Sequence, residues 1–312
     1  MRKIYLFFCF LFIVNLLNAM VNDENKIFNQ LTNNVSITIT PDSKNILYVK
    51  KGGSGKQDGS SWDNAIGELA DALLWANDEN KKNAWTSSNP LKIYVSKGTY
   101  HPLYSPEDGV NYGKDKDKDN TFLMVNNVKL YGGFDPDNNI KTLDDKRIIP
   151  DGKNEAPNGT ILSGDFNGDD IISGSGKTLE IKNNTENAYH VIVAVSSSKI
   201  ELSIDGFTIK GGNARDSKIL INGISSSSNG GGIFSSSSSS VSLVNSSVSG
   251  NSSSYSGGGI FSSSSSSSVS LVNSSVSGNR SSSNGGGIYS SSSSSSSVSL
   301  VNSSVSGNSS SY

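Results

Sequence analysis

The chain has 312 residues, of which 34% are apolar and 17% charged, and its 26 lysines and arginines against 28 aspartates and glutamates give a formal net charge of −2. Charged residues make up about 25% of a typical soluble domain, so this composition argues against a compact enzyme with one large core. No basic run accompanies the sequence pI of about 5.7, and we therefore predict no nucleic-acid partner and no attraction to an anionic bilayer.

Residues 1–19 have the pattern of a secretory signal peptide. Two basic residues precede an almost wholly apolar run over residues 4–17, and Ala19 supplies a small residue at a plausible cleavage point. The alternative is a membrane anchor, but the run is shorter than the about 20 residues that a spanning helix needs. We therefore expect export and no integral membrane span in the mature chain. Cys9, the only cysteine, falls within the run, so the mature chain would have no thiol chemistry.

The next part of the sequence predicts a tether, a strand and a helix. Residues 20–45 are polar and rich in asparagine, and we interpret them as a tether or a first edge strand. Residues 46–51 are predicted as a strand. From Trp62 onwards apolar residues recur at helical spacing behind Ser61, a candidate N-cap, which predicts a helix over about 62–78. We expect this helix to cap the N-terminal strand edges of the fold.

After the helix the sequence shows only short β-like runs, separated by Gly, Asp, Asn and Pro turns. Because no crossover helices lie between them, these runs predict an all-β architecture, and we assign residues 46–218 to an N-terminal β-helix region. The predicted strands cover residues 91–95, 122–125, 128–134, 160–162, 178–181, 189–195 and 200–209.

The last third of the chain is a serine-rich repeat. In residues 225–312, 47 of 88 residues are serine, and Arg280 is the only charged one. A Gly-Gly-Gly-Ile-Phe/Tyr motif begins at Gly230, Gly257 and Gly285, each time followed by a serine run and then Val-Ser-Leu-Val-Asn-Ser-Ser-Val-Ser-Gly-Asn. Spacings of 27 and 28 residues between these motifs are typical of solenoids and other stacked arrays.

The spacing within the repeat predicts stacking in register. Length variation is confined to the serine runs of six, seven and eight residues, whereas 19 residues separate Val241 from Ile260 and Val269 from Ile288. The Val-Ser-Leu alternation predicts a strand, a bend near the following asparagine, and units stacked about 4.8 Å apart as a parallel β-helix over residues 219–312. Like residues would then form structural ladders. The predicted ladder residues are Asn245, Asn273, Asn302, Ile233, Ile260, Ile288, Val248, Val276 and Val305.

Alternatives for this region stay open. A disordered Ser/Gly linker after residue 218 would have a similar composition. A fourth glycine-led unit would be due after residue 312, so we expect a truncated array or an exposed last edge. The Asn-x-Ser triplets match glycosylation acceptors, although we interpret them as ladder asparagines; they begin at Asn245, Asn251, Asn273, Asn279, Asn302 and Asn308.

The repeat resembles a known group of proteins. Its Gly-Gly-Gly-Ile-Phe/Tyr and Ser-Gly-Asn motifs are similar to the polymorphic outer-membrane protein repeat of exported Gram-negative bacterial proteins. The motifs Leu130-Tyr-Gly-Gly-Phe134 and Ile204-Asp-Gly-Phe-Thr-Ile-Lys-Gly-Gly212 resemble the N-terminal part of large secreted right-handed parallel β-helix proteins. Over residues 46–312 the resemblance implies an all-β, right-handed parallel β-helix, secreted or held at the cell outer-membrane surface. Adhesins and surface-layer components are among the proteins it resembles.

Parallel β-helices also include pectate lyase-like enzymes, which need an acidic calcium cluster and an Arg or Lys base. The repeat offers neither, so any active site of this kind would lie in residues 46–218. There Asp165, Asn167 and Asp169 have calcium-loop spacing, and the alternative is a plain Asp/Asn/Gly turn. Weaker matches begin at Asp115 and Asp135, and none of the three supplies the bidentate glutamate of an EF-hand.

Histidines and tryptophans give no further site. His101 and His190 lack the spacing of a metal site or a catalytic triad, and we interpret them as surface or strand-face residues. Trp62, Trp75 and Trp85 could form a sugar-stacking platform, but Trp62 and Trp75 fall within the predicted helix and are interpreted as its packing surface.

We therefore predict an exported cell-surface protein with a structural, adhesin-like presentation role. Its candidate partners are surface glycans or proteins of host or neighbouring cells. We assign no catalytic residue, no cofactor and no metal ligand. The alternative is a carbohydrate-active, polysaccharide lyase-like enzyme with its groove in residues 90–218.

Overall fold

A computed structural model of the protein describes residues 38–81, 84–106, 112–152, 155–195, 200–215, 220–221, 223–226, 228–237 and 239–311. The chain divides into the segment Met1–Thr38, of which only Thr38 is described, and one compact unit, Ile39–Tyr312. The predicted signal peptide and most of the predicted tether therefore lie outside the described residues. Within the described ranges, no helix is long and apolar enough to cross a membrane.

The unit Ile39–Tyr312 is mostly β, as predicted. Its described residues include one α-helix, α1 (Leu69–Lys81), and 24 strands. The strands are β1 (Ile46–Val49), β2 (Leu91–Ser96), β3 (Gly98–Tyr100), β4 (Phe122–Leu123), β5 (Val128–Phe134), β6 (Thr160–Ser163), β7 (Ile171–Ser173), β8 (Glu180–Lys182), β9 (Ile192–Val195), β10 (Ile200–Asp205), β11 (Phe207–Lys210), β12 (Asn213–Ala214), β13 (Leu220–Ile221), β14 (Ile224–Ser225), β15 (Ile233–Ser236), β16 (Ser239–Val244), β17 (Ser247–Ser249), β18 (Ser252–Ser253), β19 (Ile260–Val272), β20 (Ser275–Ser277), β21 (Arg280–Ser281), β22 (Ile288–Val301), β23 (Ser304–Ser306) and β24 (Ser309–Ser310).

Three parallel sheets contain most of these strands. Sheet 1 has ten strands in the order β1-β2-β5-β10-β16-β19-β15-β9-β4, with β22 also paired to β19. Sheet 2 has the order β3-β6-β11-β17-β20-β23, and sheet 3 the order β12-β18-β21-β24. The pairs β7–β8 and β13–β14 are antiparallel hairpins outside these sheets. The prediction of parallel pairing is therefore confirmed.

The chain visits the three sheets in a repeating order. β16, β17 and β18 lie in sheets 1, 2 and 3, and β19 then returns to sheet 1 beside both β15 and β16. Each strand of one layer pairs with the matching strand of the next, which makes seven successive layers. The layers are β1, β2–β3, β4–β6, β9–β12, β15–β18, β19–β21 and β22–β24.

One aliphatic column passes through all seven layers. Its members are paired in register from layer to layer, and the first six are at most 1% exposed. The repeats thus extend the stack that the earlier region begins, and the alternative of a disordered linker after residue 218 is wrong. The column consists of Leu47, Ile93, Leu130, Ile204, Leu243, Leu271 and Leu300.

The glycine triplets form the turns between sheets 3 and 1. Gly257 has a φ of +67°, in the left-handed region that favours glycine. At Gly258 a Cβ would collide with the carbonyl oxygens of Arg280 and of Gly286 in the next glycine turn, because successive layers lie directly on one another. The turns are joined by backbone hydrogen bonds, such as the one from the Gly258 N–H to the Gly285 carbonyl at 3.2 Å.

The helix begins later than predicted. Trp62–Asn64 is only a short 3-10 turn, and α1 starts at Leu69 in place of residue 62. The reason is a long-range pairing: the N–H of Ile66 donates to the Tyr48 carbonyl, and the Ile66 carbonyl accepts from Lys50. This pairing with β1 keeps the chain extended through Ile66. α1 then contacts β1 and β4, the two end strands of sheet 1.

Candidate functional site

The predicted asparagine ladder lies at the bend between sheets 1 and 2. Asn245, Asn273 and Asn302 all have φ values of +47° to +49°, a left-handed conformation that asparagine tolerates. The Asn273 Nδ2 donates to Asn245 Oδ1 at 3.3 Å, and the Asn245 Nδ2 donates to Asp205 Oδ1 at 3.0 Å. The ladder therefore continues into the earlier region through a carboxylate that the repeat does not contain.

The anchor of that ladder was not predicted from the sequence. Arg147 Nη2 lies 3.0 Å from Asp205 Oδ1, and its Nη1 donates to the Gly132 carbonyl at 3.0 Å. The arginine side chain is only 8% exposed, and its charge is matched by Asp205. No sequence signal links two residues 58 positions apart.

A second asparagine ladder, formed by Asn251, Asn279 and Asn308, is more completely buried than the first. Asn251 Nδ2 donates to Asn279 Oδ1, and Asn279 Nδ2 donates to Asn308 Oδ1, each at 3.0 Å. The same amide groups also donate to backbone carbonyls, including that of Val248. Because Asn251 and Asn279 are 0% exposed, these two Asn-x-Ser triplets are closed to glycosylation in the folded chain.

The aliphatic residues of the predicted ladder are paired layer on layer. Ile233 pairs with Ile260 and Ile260 with Ile288, while Val248 pairs with Val276 and Val276 with Val305. The first two members of each set are fully buried, whereas Val305 is 44% exposed. These six residues hold the layers in register and bring no reactive group together.

A cleft of about 570 Å³ lies beside the middle layers. Its lining includes His101, Asp117, Lys118, Phe166 and Glu186. A smaller cleft of about 320 Å³ shares His101 and Phe166. Burial lowers the pKa of His101, and its hydrogen bond to a carbonyl opposes that shift. The ring is therefore neutral at physiological pH.

The carbonyl that holds this histidine belongs to Ser163, 3.1 Å from the His101 Nδ1. The same smaller cleft is also lined by Asp165, Asp170 and Lys210. The two clefts therefore bring basic and acidic side chains together within the range predicted for a groove, residues 90–218.

An acidic cluster lies next to these clefts. Asp165, Asp169 and Glu186 each offer a carboxylate oxygen, and these oxygens all lie within 4.8 Å of one another. The Asp165 carboxylate also accepts the N–H of Gly168 at 2.7 Å. Of the predicted calcium-loop residues, the structure thus brings Asp165 and Asp169 together, while the exposed Asn167 lines the clefts. Glu186 was missed because it is 21 residues from Asp165 in the sequence.

Asp170 is influenced by the same cluster. Partial burial raises its pKa to about 6, the hydrogen bond from Asn187 opposes the shift, and the charges of Asp165, Glu186 and Asp169 add to it. Four carboxylates in one place therefore repel one another.

In the two weaker calcium-loop matches, the aspartate carboxylates are bonded to other side chains of the protein. Asp115 Oδ1 accepts from Asn120 Nδ2 at 2.8 Å. Asp135 forms a salt bridge with Lys97, and Asp137 with Lys50, each at 2.7 Å. We therefore assign no metal to either loop.

The interpretations of the remaining histidine and of the tryptophans have different outcomes. His190 is completely buried, with its Nδ1 2.9 Å from the Gly230 carbonyl, and is an interior residue of the stack. Trp62 packs on Tyr48 outside the helix, which corrects its assignment to the helix surface. Trp75 lies in α1 and contacts Trp85, with 5.9 Å between ring centroids.

Comparison with protein-family models, curated proteins and solved structures found no match to this chain. Its function must therefore be inferred from the layers and the clefts themselves.

Proposed function

We propose that the unit Ile39–Tyr312 is a right-handed parallel β-helix, in which sheets 1, 2 and 3 are the faces of one continuous coil. The repeating order in which the chain visits the sheets supports this architecture, as does the single aliphatic column through seven layers. The right-handed sense follows from the strong preference for right-handed connections between parallel strands.

We further propose that the protein is exported and serves as a stiff presentation scaffold at the cell surface, in the manner of an adhesin. The observation that carries this proposal is the like-on-like stacking of three nearly identical layers. An array whose layers contact only their neighbours can change length by whole units without disturbing a distant site. Many of its outward side chains are serine hydroxyls, which suit contacts with glycans or with proteins of other cells.

Removal of one whole unit, residues 257–284, tests the proposal. We expect the shortened chain to fold, because β15 and β16 can then pair with β22 as they do with β19. Gram-negative cells that express the full chain should carry it on their surface and attach to an array of glycans and cell-surface proteins. The shortened chain should still reach the surface and attach. Retention in the cytosol, or attachment equal to that of non-expressing cells, would contradict the proposal.

The clefts favour one second candidate, a polysaccharide lyase-like enzyme. Lys210 lines the smaller cleft together with Asp165 of the acidic cluster and with Asp170, which is an arrangement that could combine a base with a cation. A panel of acidic polysaccharides separates the two candidates. A presentation scaffold releases no unsaturated sugar, whereas calcium-dependent release that Lys210→Ala abolishes would establish the enzyme.

A further inference from the structure

The acidic cluster lies at the base of a segment that leaves the stack, residues 165–187, which we call the excursion. The chain leaves sheet 2 after β6, forms the β7–β8 hairpin, and rejoins the stack at Ala188. The N–H of Ala188 donates to the Gly164 carbonyl at 2.8 Å, so the two ends of the excursion meet. Asp165 and Asp169 are at the start of the excursion, and Glu186 is at its end.

The acidic cluster and the neighbouring Asp170 together present four carboxylates. Asp165, Asp169 and Glu186 have oxygens within 4.8 Å of one another, and the N–H of Asp170 donates to Asp165 Oδ2 at 3.2 Å. Among the ion pairs of the described ranges, none involves these four carboxylates. Unpaired carboxylates that share a partly buried site are costly.

A second observation comes from Asn187, which follows Glu186 in the chain and whose side chain bonds to Asp170. It is 1% exposed, and its Nδ2 donates to Asp170 Oδ2 at 2.8 Å. The Oδ1 of the same amide is buried without a hydrogen-bond partner, as are Asp170 Oδ1 and Glu186 Oε1. The three residues are neighbours, because Asn187 follows Glu186 in the chain and bonds to Asp170. Buried acceptor oxygens without partners call for a ligand.

We propose that Asp165, Asp169 and Glu186 bind a calcium ion, with the buried Oδ1 of Asn187 as a further ligand and with Asp170 as a neighbouring negative charge. Oxygen is the only donor type present, as hard divalent cations require. Two ligands of one calcium ion, each at about 2.4 Å, lie at most about 4.8 Å apart. The larger, more flexible shell of calcium suits ligands from two chain segments better than the octahedral shell of magnesium.

The ion would fix the base of an excursion that contacts the last layers. The Gly176 N–H donates to the Gly307 carbonyl at 3.1 Å, and Arg280 Nη1 lies 3.5 Å from the Leu179 carbonyl oxygen. Binding at the base therefore stabilises the packing of the excursion on the repeats. This role does not depend on the surface function proposed above.

Titration of the full chain with calcium tests the site. After treatment with a chelator, calorimetry should show one calcium ion per chain with a Kd of about 1 mM or tighter, and magnesium binding at least about tenfold weaker. Calcium at ten times the Kd should raise the thermal unfolding midpoint by about 3 °C. The absence of both binding and a midpoint shift in the unmodified chain would overturn the proposal.

Glu186→Gln and Asp169→Asn locate the site, with Asp144→Asn as a control that removes one exposed charge elsewhere. Both site variants should bind calcium at least about tenfold more weakly, since each loses an anionic ligand. Without calcium, Glu186→Gln should unfold at or above the midpoint of the unmodified chain, because one repelling charge is gone. A Glu186→Gln chain that keeps the full calcium response would contradict the assignment.

Discussion

At the scale of single residues, the interior of the stack tolerates polar groups only when the neighbouring layer satisfies them. His190 illustrates the rule: its ring is fully buried, contacts Phe234 with 5.4 Å between centroids, and lies 2.9 Å from the Gly230 carbonyl through Nδ1. Burial lowers the pKa of His190 to about 4, and the bond to the carbonyl opposes the shift. The ring is therefore neutral in the folded chain and donates through Nδ1.

His190 should make folding sensitive to mild acid. In the unfolded chain the imidazole has its ordinary pKa of about 6.5, so below that pH the unfolded state binds a proton that the folded state refuses. The contribution of His190 to the free energy of unfolding should fall by about 3 kcal/mol as the pH drops from about 6.5 to about 4, while the raised pKa of Asp170 acts in the opposite direction. Urea unfolding at several pH values measures this loss.

Two variants isolate the contribution of His190. His190→Asn keeps a donor close to the position of Nδ1 and removes the titration, so its free energy of unfolding should change less with pH. His101→Asn is the matched control at the other histidine, and it should retain most of the loss. Equal pH profiles for His190→Asn and the unmodified chain would show that His190 is accessible to protons when folded.

The limits of sequence reasoning at this scale follow from distance along the chain. Asn245 and Asn273 could be placed together because a repeat relates them. Asp205 and Arg147 belong to no repeat, and only the folded layers bring them together. Glu186 joins Asp165 for the same reason, since an intervening hairpin closes the distance.

At the scale of elements, the second and third serine runs form continuous strands and are not loops. β19 and β22 continue through their serine runs, and their register shifts between Ser264 and Ser266. One residue of β19 lies opposite two of β22 there, so a bulge absorbs the extra serine. The sequence locates the length variation correctly, but it cannot distinguish a bulge from a loop, because serine suits both.

The effect of an added serine on the free energy of unfolding should depend on where the serine is inserted. One serine inserted after Ser264 places two residues of β19 opposite two of β22 and so removes the bulge between them, and we expect the free energy of unfolding to change by less than about 1 kcal/mol. One serine inserted between Ser270 and Leu271 shifts the side-chain alternation and turns buried residues outward, which should cost at least about 3 kcal/mol. Chemical denaturation of the two variants compares them directly, and similar losses would contradict the bulge.

The start of α1 shows the same limit for helices. Apolar spacing from Trp62 predicts a helix, yet Ile66 is held extended by its pairing with β1. Local periodicity cannot reveal a competing partner that lies 18 residues upstream. Within each serine-rich unit, in contrast, alternation and repeat agree, and β16, β17 and the bend at Asn245 occur where the pattern places them.

At the scale of the whole molecule, each layer is stabilised by the layers on both sides of it. A quasi-one-dimensional stack of this kind depends on nearest-neighbour contacts. Leu271 lies between Leu243 and Leu300 and is 0% exposed, whereas Leu300, in the last described layer, is 48% exposed. The same side chain in the same repeat therefore has two very different surroundings.

This difference predicts that the same leucine-to-alanine substitution lowers the free energy of unfolding by unequal amounts at the two positions. Leu271→Ala leaves a cavity between two layers and should lower the free energy of unfolding by about 2–5 kcal/mol. Leu300→Ala removes a side chain that water already reaches, and its cost should stay below about 1 kcal/mol. Denaturant unfolding of the full chain measures both, with the unmodified chain as reference. Equal costs would mean that Leu300 is covered in solution as completely as Leu271, for example by a second copy of the chain stacked on β22.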